Sequence, residues 1–331
     1  TVKNDITNIM ISAEANSSSA KIKGMGGKNL TVGTNNLPVR VIAEDGSEKV
    51  YTLKITRKAG PQSLKNEIMK NTIITSNPTL TTSSNNTSDK SGLYKSTLTN
   101  TGDSTYYFRG NVENNYVSFA GYTWRIVRVN EDGTIRIVMQ DGINNNANIA
   151  FNSTYNNYTY MYYSNSNAKT QLNSWYQTNI GSKSDLANKV VSGNYYCEQA
   201  KAKYDSNWTS GSASMTVYSR YTPNFKCTTD GNGKGIVNAS VGLLSYDEVV
   251  YAGGYYDQSN SNYYLYNNKY FWTMSPAGIS GSSSYVWYVI ASGYVNYNPV
   301  NARNALRPVL ILKADTLATG SGTSSDPFVV E

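Results

Sequence analysis

Between Val39 and Arg57 the chain carries the pattern that most limits what it can become. Val39-Arg40-Val41-Ile42-Ala43 runs into Glu44-Asp45-Gly46-Ser47, and a second run follows from Val50 to Arg57. In the second run Tyr51, Leu53 and Ile55 alternate with Thr52, Lys54 and Thr56. A period of two places alternate side chains on opposite faces of a pleated strand, and an Asp-Gly pair supplies the turn between strands. Residues 1–58 therefore read as strands, with a hairpin whose Tyr51, Leu53 and Ile55 face is half-buried.

The chemistry open to this chain is narrowed by what it lacks. None of its 331 residues is His, so no Ser-His-Asp or Cys-His nucleophile, His base or His-ligated metal can form. Charged residues make up 15% of the chain, well under the average of about 25%. Amides and hydroxyls must wet the surface instead, as on exported bacterial β-proteins. The net charge of +7 is spread thinly, with no basic run longer than Arg57-Lys58, and reads as a mildly basic surface rather than a nucleic-acid footprint. No stretch approaches the ~18 apolar residues of a membrane span.

Cys197 and Cys227 are the two cysteines, and in an exported chain they pair. Closing a loop of about 30 residues is worth roughly 3.5 kcal/mol on the chain-entropy account. Two reduced thiols in a cytosolic protein are the alternative.

Further along, residues 59–92 read as a short connecting helix, with Leu64, Ile68 and Met69 on one side, followed by a polar linker from Thr75 to Gly92. From Leu93 onward the pattern is mixed. Trp124–Val129 and Ile135–Met139 flank Asn130-Glu131-Asp132-Gly133 as a hairpin, and Arg125, Arg128 and Arg136 ride on it in edge or pairing roles. Leu172, Trp175, Tyr176 and Ile180 fall on one face of a helix over 168–180. A shorter helix is expected over 185–191. Ser245-Tyr246-Asp247-Glu248 is a capping box, predicting a helix from Tyr246 to Ala252 that ends at Gly253-Gly254. Trp272 reads as core, Tyr285–Ile290 as a strand, and Arg307–Leu312 as a last buried strand.

Two family resemblances rest on these residues. The string VRVIAEDGSEKVYTLKITR resembles the end of the bacterial cadherin-like β-sandwich module, over residues 1–57. Members of that family are longer, which implies a sandwich whose first strands are missing, cut away or supplied by another copy. The strings TYYFRGNVENNYVSFAGYTWRIVRVNEDGTIRIV, GLLSYDEV, FWTMSPAG, LRPVLILKAD and GSGTSSDPFVV resemble a recurrent domain of gut Firmicutes surface proteins, over residues 92–331. The late strand-loop-strand ending in RPVLIL resembles the C-type-lectin-like fold, in the branch shared with formylglycine-generating-enzyme-like domains. The expected fold class is mainly β with α+β, an incomplete immunoglobulin- or cadherin-like sandwich (1–58) followed by a C-type-lectin-like α+β domain (93–331).

In that fold class the segment between the last strands forms the exposed binding face. The resemblance thus nominates Tyr285, Trp287, Tyr294, Asn296, Tyr297, Asn298, Asn301 and Arg303, flat aromatic faces interleaved with amides. The competing reading sends the aromatics into the core, with Trp287 and Val289 on one face and Val286 and Tyr288 on the other. Calcium-dependent sugar motifs of the Glu-Pro-Asn type are absent, as are the late cysteines of the oxidase-like branch, so neither activity carries over. No cofactor or metal is expected.

The expected function is an extracellular, cell-surface adhesin or ligand-binding module without catalysis. Its partners would be a host or bacterial glycan or protein surface, and possibly copies of itself, but no nucleic acid. The alternative is a structural subunit of a surface fibre in which a neighbouring chain completes the sandwich. An enzyme using Asp247 and Glu248 is the least favoured reading, because both fit a helix cap.

Overall fold

The computed structural model describes residues 1–78, 80, 89–156, 158–198, 223–227, 235–256, 258–280 and 282–331. The chain divides into two compact units, Thr1–Gln62 and Ser63–Glu331. It is mainly β, with several sheets and a few short helices.

In the first unit, Gly33–Ile42 and Glu48–Arg57 form the expected hairpin, in register from Gly33↔Arg57 to Ile42↔Glu48. Gly46 takes φ 83°, a left-handed conformation open to glycine at no steric cost. The Asp45 carboxylate accepts from the Ser47 hydroxyl at 2.7 Å and from its N–H at 2.9 Å. Those bonds hold its pKa below the usual carboxylate value. Lys21–Lys23 completes this sheet beside Gly33–Ile42. A second sheet pairs Asn8–Ile11 with Gly26–Asn29.

The burial of the hairpin departs from expectation. Leu53 lies opposite Leu37 and Tyr51 opposite buried Val39, so the alternation is kept. Yet Tyr51 is 51% and Leu53 42% exposed. Only Ile11, Leu30 and Val39 are buried apolar side chains among the described residues of this unit. A sheet of two short strands supplies too little apolar surface to cover a ten-residue strand, so the outer part of its inward face stays in contact with water.

The second unit is organised around Tyr122–Val129. Its first half pairs antiparallel with Tyr116–Phe119, its last two residues with Thr105–Arg109, and its other edge with Ile135–Met139. Ile135–Met139 then pairs with Val309–Leu312, and all nine residues of these two strands are buried. Gly92–Ser96 extends the sheet beyond Thr105–Arg109, and Phe328–Val330 lies parallel to Tyr116–Phe119. A separate three-stranded meander is built from Phe271–Ser280, Ser283–Val289 and Val295–Pro299. Its first strand changes register at Pro276, where the missing N–H costs no ladder bond.

The helix read as a connector belongs to the second unit instead. Leu64–Met69 is capped by the Ser63 hydroxyl, and Leu64 and Ile68 are buried in that unit's core. Two full apolar anchors tie so short a helix to the core more firmly than a linker would allow. The polar segment after it falls largely outside the described residues, at 79 and 81–88. The helix expected over 168–180 is Asn167–Tyr176 followed by a π-helical turn, Gln177–Gly181; Leu172, Trp175, Tyr176 and Ile180 are all buried. The next helix is shorter than expected, Ser184–Ala187. Tyr246–Ala252 forms as the capping box predicts, with both reciprocal bonds present and every residue buried.

Candidate functional site

The nominated aromatic face turns inward. Tyr285, Trp287 and Val289 share one face of their strand, and Trp287 stands opposite Tyr297. The Trp287 indole is buried, with ring centroids 4.9 Å from Tyr246, 6.0 Å from Tyr256 and 5.7 Å from Tyr297. Tyr285 meets Tyr297 edge to face at 5.9 Å. Asn296 and Asn298 point to the other face, and the Asn296 side-chain amide oxygen accepts from the Tyr297 N–H at 2.8 Å. Tyr294 is half-buried beyond the strand end. Asn301 and Arg303 are exposed, with Arg303 reaching the Asn148 carbonyl at 3.4 Å. Of the eight, Trp287 belongs to the core and Tyr285 and Tyr297 pack half-buried against it, and the eight form no single open face. Alternation told which residues share a side but not which side the rest of the chain covers.

The arginines of the hairpin are structural. Arg125 donates to Asn115 and the Val112 carbonyl, each at 2.7 Å, and its guanidinium lies 3.8 Å from the Tyr116 ring centroid. Glu248 sits between Arg136 and Arg128, at 2.5 Å and 3.6 Å from their Nε atoms. The same carboxylate accepts from the Ser245 N–H at 2.9 Å as part of the helix cap. Burial lowers the pKa of Arg128, against the raising effect of Glu248. Two guanidiniums and the helix cap thus take up both oxygens of this carboxylate. Cys197 and Cys227 form a disulfide beside this network.

A different place concentrates irregular backbone and open polar groups. Asn144, Asn145 and Asn146 take φ values of 50°, 56° and 60°, a left-handed turn of three consecutive non-glycine residues. Ala120, in the tight turn between Tyr116–Phe119 and Tyr122–Val129, has φ 53°. Four of the five non-glycine residues with positive φ among those described (the fifth is Asn268) thus flank one cleft. The cleft measures about 480 Å³, and its wall includes Tyr122, Trp175 and Asn179. Asn179 lies in the π-helical turn, another irregularity common at functional sites. Left-handed residues cost roughly 1–2 kcal/mol each, less for Asn, and such strain gathers where a site needs it.

Each wall of the cleft is fixed from behind. The Asn146 side-chain amide oxygen accepts from the Gly142 N–H at 2.6 Å, and the Ile143 N–H donates to the Leu306 carbonyl at 2.9 Å. The Tyr122 hydroxyl donates to the Asn179 amide oxygen at 2.8 Å, and the Asn179 amide nitrogen to the Trp175 carbonyl at 2.8 Å. Tyr122 and Trp175 rings lie 5.3 Å apart. Sequence reading passed over this cleft. Its available signal was Asp141-Gly142 followed by three Asn, the residue type that best tolerates left-handed backbone after Gly.

Among the described residues no group of three or more His, Cys, Asp and Glu is placed to hold a metal. No described helix is long and apolar enough to cross a membrane. No curated protein and no solved structure matches the chain. Residues 1–58, nearly the whole of the first unit, match the family described as the Cadherin-like beta sandwich domain, which is compatible with a surface or adhesion module.

Proposed function

We propose that this chain is an extracellular bacterial surface protein that binds a ligand and does not catalyse. Its second unit would carry the binding site and the cadherin-like unit would serve as a surface module. The observation that carries the reading is the cleft flanked by Ala120 and Asn144–Asn146, where strained backbone is held rigidly around open polar groups. The disulfide and the match at residues 1–58, to a kind of domain that is typically extracellular, support placement outside the cell. A lectin-like second unit is part of the proposal; it rests on the motif series of residues 92–331. The absence of His and the full engagement of Glu248 support the non-catalytic part. Probing glycan and protein arrays with the whole chain tests the reading. Saturable binding supports it, and turnover of a substrate in an activity panel overturns it.

One observation favours the second reading, a fibre subunit. Glu48–Arg57 is an edge strand exposing Val50, Tyr51 and Leu53, and among the described residues its outer edge pairs only Arg57, with Val2. An open edge of this length templates strand addition. Concentration-dependent polymers in sedimentation would support assembly, and a monomer at high concentration would remove it.

A further inference from the structure

We infer that the cleft between Tyr122, Asn144–Asn145 and Trp175 is a site for a neutral saccharide. This rests on the binding reading above and names the ligand class that the same site would take.

The first ground is hydrogen-bonding capacity. The Asn144 and Asn145 side chains are exposed and have no partner among the described residues. Both amides offer two donors and an acceptor, and the exposed Thr123 hydroxyl, also unpartnered, offers both roles. The Trp175 side chain is only 7% exposed, and its indole N–H has no acceptor among the described residues. A ligand rich in hydroxyls, each able to donate and accept, matches this mixed set. A ligand that only accepts or only donates would leave half of it unmet.

Charge supplies the second ground. No Lys or Arg lines the cleft, and its one carboxylate is that of Asp141. Asp141 accepts from the Asn146 amide at 3.3 Å and is otherwise open to water. An anionic ligand would meet this negative charge with no cation to offset it, which disfavours phosphorylated, sulfated or sialylated sugars and nucleic acid. The third ground is shape. About 480 Å³ lies in the range of small-molecule sites, and the half-buried Tyr122 ring, backed by Trp175, gives an apolar edge against which the C–H face of a sugar ring can rest. The left-handed turn is held in place before any ligand arrives, so little ordering is left to oppose binding.

The test uses the whole chain in calorimetric titration with neutral oligosaccharides of gluco, galacto and manno configuration, and with a sialylated counterpart. Asn144→Gly with Asn145→Gly removes both amides but keeps the turn, because glycine adopts positive φ at no steric cost. Thr123→Val, an isostere at an exposed strand position, is the independent second variant. The expected result is binding of a neutral sugar, weakened at least about tenfold in the double glycine variant with the melting temperature preserved. Weakening in Thr123→Val supports the site if the glycine variant does not fold. Undiminished binding in folded variants overturns the location, and a preference for the sialylated sugar overturns the class. Binding of a protein but of no sugar overturns this inference while the binding reading stands; turnover overturns both.

Discussion

Arg136 grips Glu248 with its Nε 2.5 Å from Oε1 and a hydrogen bond from Nη2 to Oε2 at 3.1 Å, both side chains being almost wholly buried. The pair joins the central sheet to the Tyr246–Ala252 helix, because Glu248 also caps that helix through Ser245. Removing one partner of a buried ion pair strands the other charge, at a cost of about 3–5 kcal/mol. Glu248→Gln is therefore expected to destabilise the second unit by several kcal/mol in urea unfolding. A catalytic Glu248 would instead leave stability nearly unchanged, and a shift below about 1 kcal/mol would contradict the structural role.

The tyrosines give the fold an alkaline limit. Burial pushes Tyr251 up to about 12, and pushes Tyr107, Tyr246 and Tyr264 higher still. A phenol whose folded pKa exceeds its unfolded value near 10 contributes stability that is complete below pH 10. That contribution is lost as pH rises from 10 through the folded value. For Tyr251 alone the loss is about 2–3 kcal/mol. Arg307, lowered by burial to about 10, acts in the opposite sense, because the unfolded chain keeps its proton to higher pH. Several tyrosines outweigh one arginine, so stability should fall above pH 10. Absorbance at 295 nm should show a first group of phenols ionising near 10 and a second only as the chain unfolds. One uniform step near 10 would refute it.

Reduction of Cys197–Cys227 frees a loop of 30 residues. The expected loss is about 2–4 kcal/mol in the second unit, seen as a lower unfolding midpoint in dithiothreitol, with the first unit's transition unmoved. A midpoint that ignores reductant would mean that the bond does not form in the folded protein.

At Ala120 the turn uses a residue ill suited to it. The two-residue hairpin Ala120-Gly121 has both φ values positive, 53° and 81°, where Asn-Gly is the preferred pair. Ala120→Gly relieves the clash of a Cβ with its own backbone and should raise stability by up to about 1 kcal/mol. A loss of more than about 1 kcal/mol would mean that methyl packing against the core outweighs the strain.

Much of the fold was legible in the sequence, unevenly and for physical reasons. Leu172, Trp175, Tyr176 and Ile180 revealed a buried helix face because helical spacing is local, and Ser245 with Glu248 revealed a cap because both partners lie within one turn. Tyr51 and Leu53 share the side of buried Val39, as alternation requires, but both are exposed, because alternation does not say how much of that side is covered. Trp287 posed the same difficulty in reverse, since alternation leaves open which face is covered. Asn144–Asn146 escaped notice because left-handed backbone is imposed by closure between Gly142 and Asn146, bonds that composition does not display.

The central claim is that binding occurs at the cleft beside Asn144–Asn146 and not at the late aromatic hairpin. Hydrogen–deuterium exchange, with and without the neutral oligosaccharide that binds most tightly in titration, tests it most directly. Added protection at Gly121–Thr123, Gly142–Asn146 and the turn carrying Asn179 is the predicted result. Protection confined to Tyr294–Arg303, with the cleft unchanged, would contradict it.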